Sequence, residues 1–271
     1  MAPFKAPGPD GMPPLFYQHF WGVVDHDVMS SVLSWLNSGT FPHSINHTFI
    51  TLIPKTNNPE YVRDFHPISL CNVLYKIFSK VLANRQKMIL PSIITEHQYI
   101  AKDQLIIDNI LVAFESLHSM KNYKMGDIGY MAIKLDMSKA YDRVEWLYLE
   151  NLMRKMGFNG KWIGLIMVCV KTVTYSIIVN GKPQGLLHPT EGIRQGDPLS
   201  HFLFLLCIEG LHGLIQQAAR VGDIKGFSLC RRGLELTHLL FANDSLLFCR
   251  ATSQECNNVL YILNLYEEAS G

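Results

Sequence analysis

Hydrophobic and polar positions change period several times along this chain, and the changes mark its predicted elements. An amphipathic helical period runs over residues 15–36 and stops at Asn37-Ser38-Gly39-Thr40. Residues 49–55, FITLIPK, read as a strand halted by Pro54. TNNPEYVRDFHP reads as loop, and helical periods return over 69–90 and 108–121. The pattern then turns strand-like at 129–136, GYMAIKLD, which ends on an acid. Helices are predicted over 144–156, stopped by Gly157, and over 162–173. A strand at 175–179 runs into Asn180-Gly181, a strong hairpin signal. Pro198 opens a long helix to about residue 219. Two short strands, the hairpin HLLFANDSLLF (238–248) and a helix over 253–269 complete the series. Helices interleave with hairpin-joined strands, so the expected class is α+β, an antiparallel sheet backed by helices.

Composition narrows the picture a little. The 271 residues are 48% hydrophobic and 17% charged, which excludes a largely disordered chain and gives enough length for a sizeable core. Net charge is +1, so any nucleic-acid site is a local groove rather than a basic surface. The six cysteines form no C-x-x-C pair and mostly sit in apolar runs, which suits an intracellular, reducing setting. The N-terminus carries no apolar signal core. The most apolar stretch, residues 202–215, contains Glu209 and His212; it reads as a core helix too short for a bilayer, so no membrane partner is expected.

Candidate chemistry sits at strand ends. Asp136 closes an apolar strand, where a lone carboxylate is costly to bury and persists when paired, exposed or bound to a cation. Asp244 lies at a hairpin tip more than a hundred residues later. If the two ends meet, a divalent cation between them relieves their repulsion, and Mg²⁺ suits such a site. Asn-Asp is equally good turn chemistry, and both readings stand on spacing alone. IRQGDPLS (193–200) adds a loop whose Gly196 permits close backbone approach, with free amides at the following helix start for a phosphate or template.

Together IKLDMSKAYDRVEW, GIRQGDPLS and HLLFANDSLLF resemble the three central motifs of reverse transcriptases, and more narrowly those of plant-type non-LTR (long interspersed element) retrotransposons. KAPGPDG, FITLIPK, RDFHPISLCNVLYKIFSKVLANR and DNILVAFE extend the resemblance over residues 5–271. It implies a right-hand polymerase fold, with an N-terminal extension and fingers at 1–128, palm at 129–271, and about 150–190 partly returning to the fingers. The implied reaction adds deoxynucleotides to a DNA primer 3′-hydroxyl on an RNA template, using two Mg²⁺ ions. On this resemblance Asp136 is the shared metal ligand and Asp244 belongs to the metal-binding box with Asn243. Met137 meets the triphosphate through its backbone, and Tyr141 is the gate against a ribose 2′-hydroxyl. Gln195 and Gly196 touch nucleotide and template, and Lys55 and Arg63 contact phosphates.

The chain departs from the pattern where it matters. The box normally carries two adjacent aspartates, and the first is here Asn243, an amide with no formal charge. His66 stands for the usual Arg, Asp103-Gln104 for Gly-Arg, and His201 for Pro. The chain also stops soon after the palm motifs, without the thumb such proteins carry. Impaired or absent catalysis is therefore expected; a non-catalytic module holding an RNA–DNA hybrid and an unselected retrotransposon relic are the alternatives. No Lys/Arg cluster marks nuclear import, leaving nucleus and cytoplasm both open.

Overall fold

The computed structural model of the chain describes residues 1–94, 106–122, 128–137, 139–228, 235–241 and 244–271, with the backbone alone at 106–109, 122, 241 and 244. In chain order these form α1 (Pro14–His19), α2 (Trp21–Ser38), α3 (His43–Asn46), β1 (His47–Pro54), β2 (Phe65–Cys71), α4 (Val73–Ile89), α5 (Ile106–Asn122), β3 (Tyr130–Asp136), α6 (Trp146–Lys155) and α7 (Gly160–Lys171). There follow β4 (Thr174–Val179), β5 (Lys182–Leu187), α8 (Ser200–Val221), β6 (Phe227–Ser228), β7 (Glu235–Leu236), β8 (His238–Phe241), β9 (Asp244–Arg250) and α9 (Ser253–Ser270). They gather into two compact units, one of Met1–Gln86 with Met153–Leu203, the other of Lys87–Leu152 with Phe204–Gly271.

The first unit is built on a four-stranded sheet of order β2-β1-β4-β5. β1 pairs antiparallel with β2 from Thr48↔Cys71 to Pro54↔Phe65, and parallel with β4. The β4–β5 turn uses Asn180 and Gly181, both at positive φ (50° and 75°), which matches the twist of a tight hairpin. β5 is exposed along its length, and its Lys182 and Pro183 discourage pairing with another chain. Tyr75, Phe78 and Leu82 on α4 are fully buried, and Trp35 and Phe41 meet Phe78 edge-on at 6.1 and 5.2 Å.

Two local expectations are corrected here. The helix over 15–36 is two helices, α1 and α2, separated at Phe20; Gly39, in the left-handed region, ends α2 as its break signal implied. The supposed loop and helix start at 65–71 is instead the strand β2. Its pairing with β1 is a long-range effect that local periodicity does not report, and α4 can start only after that ladder ends. Between them, Asn72 donates through Nδ2 to the carbonyls of Ser44 and Ile45, both at 3.1 Å, and its Oδ1 accepts from Asp10 N at 3.0 Å. Gly8 lies against the Asn72 backbone so closely that a methyl group there would overlap it. The KAPGPDG loop is thereby pinned to the junction of β2 and α4.

In the second unit β3, β9 and β8 form an antiparallel sheet of order β3-β9-β8. Phe227, Leu239 and Phe248 form its buried core with Ala113 of α5, flanked by Tyr130, Leu236 and Leu246. Glu255, near the start of α9, accepts from Arg250 N at 2.9 Å and Lys225 N at 3.0 Å. That carboxylate ties the end of β9 to the α8–β6 connection. Among the described residues α8 is long and apolar enough to cross a membrane, with a mean hydropathy of 1.4. It matches the long helix expected from Pro198 to about residue 219, with the apolar 202–215 stretch inside it. Half of its apolar window is buried inside the protein, the distribution of a core helix.

Gly8→Ala should lower stability by about 1–3 kcal/mol through that overlap, read as a lower urea midpoint; an unchanged midpoint contradicts the pinning. The free thiols of Cys169, Cys207 and Cys249 are pushed by burial up to about 12, 12 and 11, from 9.0. In the unfolded chain they ionise first, so stability should fall as pH rises from 9 toward 11–12. At pH 8 iodoacetamide should spare these three in the native chain and modify the half-exposed Cys256, as peptide mass spectrometry reports.

Candidate active site

In the second unit, strand register sets the geometry. β3 and β9 pair over seven rungs from Tyr130↔Arg250 to Asp136↔Asp244, so positions 136 and 244 are direct cross-strand partners at the sheet end. β8 reaches the same end through Phe241↔Asp244. The expected meeting of the two strand ends is thus present in the backbone. Asp136 is exposed, which spares its carboxylate a burial cost. Asn243 lies outside the described residues, and of Asp244 the backbone alone is described.

The chain leaves β3 through tight turns, with Ala140 N donating to Met137 O at 3.2 Å and Asp142 N to Lys139 O at 2.8 Å. Lys139 takes a left-handed φ of 58° to make them. These turns bring the half-buried Tyr141 ring flat against Phe204 of α8, at 4.9 Å between centroids and 19° between planes. Burial raises the Tyr141 hydroxyl above its ordinary pKa. Beside it opens a cleft of about 430 Å³, lined by Asp136, Met137, Arg143, Phe204, Cys207 and Tyr266 among others. The hydroxyls of Tyr148 and Tyr266 both donate to the Cys207 carbonyl, at 3.0 and 3.1 Å, and so fasten α6 and α9 to α8. His238, opening β8, places Nε2 2.6 Å from His212 Nδ1 on α8, with Thr237 Oγ1 2.8 Å from its own Nδ1. This buried chain of hydrogen bonds secures the hairpin against the helix.

An exposed carboxylate at 136 and a carboxyl-bearing residue at its register partner are hard oxygen donors, and they fit a Mg²⁺-type ion. Among the described residues no group of three or more His, Cys, Asp or Glu side chains gathers into a full cage. Mg²⁺ ordinarily keeps waters or substrate oxygens for its remaining positions.

The first unit carries the other candidates. Lys55 and Arg63 are exposed on one turn beyond β1, where Lys55 N donates to Asp64 O at 2.8 Å and Lys55 Nζ to Arg63 O at 3.1 Å. The Arg63 guanidinium stands 4.8 Å over the Tyr61 ring. In the 193–200 segment Gln195 is half-buried and Gly196 is exposed at φ 86°, with open space where a Cβ would point. Their neighbours Arg194 and Asp197 are both buried. Arg194 donates to Cys169 O at 3.0 Å, to Thr48 Oγ1 at 3.1 Å and to Asn46 Oδ1, and lies 4.0 Å over the Tyr75 ring. Asp197 accepts from Tyr75 OH at 2.5 Å and from Ser79 Oγ, and its Oδ2 is 3.8 Å from Arg194 Nε. Burial alone would lower the Arg194 pKa; Tyr75, Cys71 and Asp197 around it hold it above the ordinary value.

One sequence expectation changes here. The helix starts at Ser200, and the amides near its start are not free for a phosphate: Asp197 Oδ1 accepts from Leu199 N at 2.9 Å and its carbonyl from Ser200 N at 3.2 Å. Sequence reasoning also gave no role to Arg194, Asp197, Tyr75, Ser79 or Phe204. For the first two a signal existed, since opposite charges three residues apart around a Gln-Gly, next to an apolar helix, suggest an internal ion pair.

The solved structure of apo telomerase from Candida tropicalis, truncated from its C-terminal domain, superposes at a TM-score of 0.51 and 14% identity. The overlap covers 89% of this chain and 52% of that one, and the two share the polymerase fold. The family model described as reverse transcriptase (RNA-dependent DNA polymerase) matches residues 53–269, and the chain belongs to that family. A 149 kDa protein of transposon TX1 from Xenopus laevis is 26% identical over 94% of this chain and 19% of its own length. The Pol polyprotein of the type-2 retrotransposable element R2DM from Drosophila melanogaster is 26% identical over 86% of this chain and 22% of its own. An uncharacterized mitochondrial protein of Arabidopsis thaliana is 48% identical over 68 residues, 25% of this chain and 56% of its own length. The chain thus spans about a fifth of the TX1 and R2DM proteins. Its relatives mark it as a reverse transcriptase domain of the non-LTR element type.

Arg194→Met removes the cation from a buried pair and strands Asp197 in the core. It should cost about 3–5 kcal/mol in urea unfolding; a loss below about 1 kcal/mol would contradict the network described.

Proposed function

We propose that this chain is the fingers-and-palm part of an RNA-directed DNA polymerase, and that catalysis in this copy is impaired at Asn243. The observation that carries the first half is the Asp136↔Asp244 rung, which sets two carboxyl-bearing positions of separate family motifs side by side. The substrates are an RNA template, a DNA primer and deoxynucleoside triphosphates. Two Mg²⁺ ions, when bound, supply activation of the primer 3′-hydroxyl and neutralisation of the leaving phosphates.

The chain's own residues do the rest. Asp136 offers an exposed carboxylate at the sheet end. Tyr141, held flat by Phe204, fills the space a ribose 2′-hydroxyl would need. The Met137 backbone faces the triphosphate, while Gln195 and the bare backbone at Gly196 meet nucleotide and template. Lys55 and Arg63 add phosphate contacts from an exposed turn. Replacing a carboxylate by the Asn243 amide removes one negative charge beside two divalent cations, weakening their hold and the alignment of the attacking hydroxyl. Fingers, for residues 1–128 and the return near 150–190, and palm, for the rest of 129–271, are names that belong to this reading. So do an intracellular location, supported by buried free thiols, and a plant-type lineage, supported by the Arabidopsis similarity.

A second reading, a module that holds an RNA–DNA hybrid without extending it, is favoured by the same asparagine. Its surface at Gln195–Gly196 needs no metal. The test is primer extension on an RNA template with Mg²⁺, comparing the chain as it stands with Asn243→Asp. The substituted chain should be faster by about 100-fold or more, corresponding to several kcal/mol of transition-state stabilisation. Equal, robust synthesis by both overturns the impairment. Salt-sensitive hybrid binding with no synthesis by either chain favours the second reading.

A further inference from the structure

We infer that Arg194 and Asp197 are positioning residues: as a buried pair they pull both ends of the Gln195–Gly196 step into the first unit and hold that step out toward nucleotide and template. The inference rests on the nucleotide-binding reading of Gln195 and Gly196 given above and goes beyond it.

The geometry is an alternation of burial over five residues. Ile193, Arg194 and Asp197 are buried, while Gln195 is half-buried and Gly196 exposed. A loop in water has no reason to send its two charged residues inward and its amide and glycine outward. Burying an Arg and an Asp is costly unless every charge is matched. Here the matching is thorough. Arg194 spends its donors on Asn46, Thr48 and the Cys169 carbonyl and presents a face to Tyr75. Asp197 spends its acceptors on Tyr75, Ser79 and the Leu199 amide. The partners come from α3, β1, α4 and α7, so four elements fix the two ends of one dipeptide step. Asn46 is itself held, its Nδ2 donating to Cys169 O at 3.1 Å and Thr172 Oγ1 at 2.8 Å. Between the anchors, Gly196 adopts a φ of 86°, which turns the backbone outward.

A network serving only stability gains little from this arrangement, because apolar side chains of similar volume stabilise an interior as well or better. What a buried ion pair bonded to several elements gives is a narrowly restricted conformation for the segment between its ends. A loop that must present an amide side chain and a bare peptide to a base pair and a triphosphate needs that restriction, since small displacements of a positioning group cost rate steeply.

The experiment uses the whole chain, in the Asn243→Asp background for its nucleotide arm. Arg194→Lys and Asp197→Asn are compared with Gln195→Ala; Asp197→Asn keeps shape and an acceptor oxygen and serves where Arg194→Lys does not fold. Affinity for an RNA–DNA hybrid with a dideoxy-terminated primer is measured with and without the next templated deoxynucleotide. Amide exchange is followed over residues 193–199. The flanking variants should weaken nucleotide-free hybrid affinity no more than Gln195→Ala does. They should raise exchange over 193–199 by about tenfold and reduce the nucleotide-dependent gain to the level of Gln195→Ala. Loss of the gain in Gln195→Ala, with retention in both folded flanking variants, overturns the positioning role and leaves the nucleotide reading intact. Unchanged exchange in the folded flanking variants also overturns it. No nucleotide-dependent gain in the parent, or a full gain in all three variants, overturns the nucleotide reading and this inference with it.

Discussion

The seven-rung antiparallel ladder between β3 and β9 is the constraint on which the second unit turns. Leu247, Phe248 and Cys249 follow one another on β9 and are all buried, so this strand is packed on both faces, and Phe248 lies in the cluster with Phe227 and Leu239. A slip of one residue would move every one of these side chains to the opposite face and into a site shaped for its neighbour, which disfavours it. The same lock that protects the core fixes position 136 opposite position 244. Apolar packing more than one turn of chain away thereby decides where two carboxyl-bearing residues meet. Glu255 at the far end of β9, and the His212–His238 contact on β8, hold the remaining freedom of the sheet.

In the first unit the comparable constraint is polar. Arg194 and Asp197 are buried among hydrogen-bonding partners from four elements, and the Gln195–Gly196 step between them is left facing out. The two units thus use different physics for the same end. One fixes its candidate positions by packed strand register, the other by a buried, multiply hydrogen-bonded ion pair.

Much of this was legible in the chain. The strand ending at Asp136, the hairpin at 238–248, the Asn180–Gly181 turn and the helix closing the chain all carry local signals, and each is present. The strand β2 was not legible, because its residues are made extended by pairing with β1, which local periodicity cannot see. The split at Phe20 is also silent in a pattern whose apolar spacing continues across it. The candidate roles of Asp136, Met137, Tyr141, Gln195 and Gly196 came from motif resemblance. Their supports, Phe204, Tyr75 and Ser79, look like ordinary core residues in sequence, and only tertiary packing shows what they hold. Arg194 and Asp197 were in view within IRQGDPLS, and their spacing hints at an internal ion pair, but a linear string does not name the partners from four elements that receive it.

The divalent-cation site proposed at positions 136 and 244, weakened by the amide at 243, is open to direct measurement. Mn²⁺ binding to the chain, followed by electron paramagnetic resonance, tests it most directly. The account predicts weak, saturable binding that tightens in Asn243→Asp and disappears in Asp136→Asn with the fold intact. Binding that is indifferent to Asp136→Asn would contradict it.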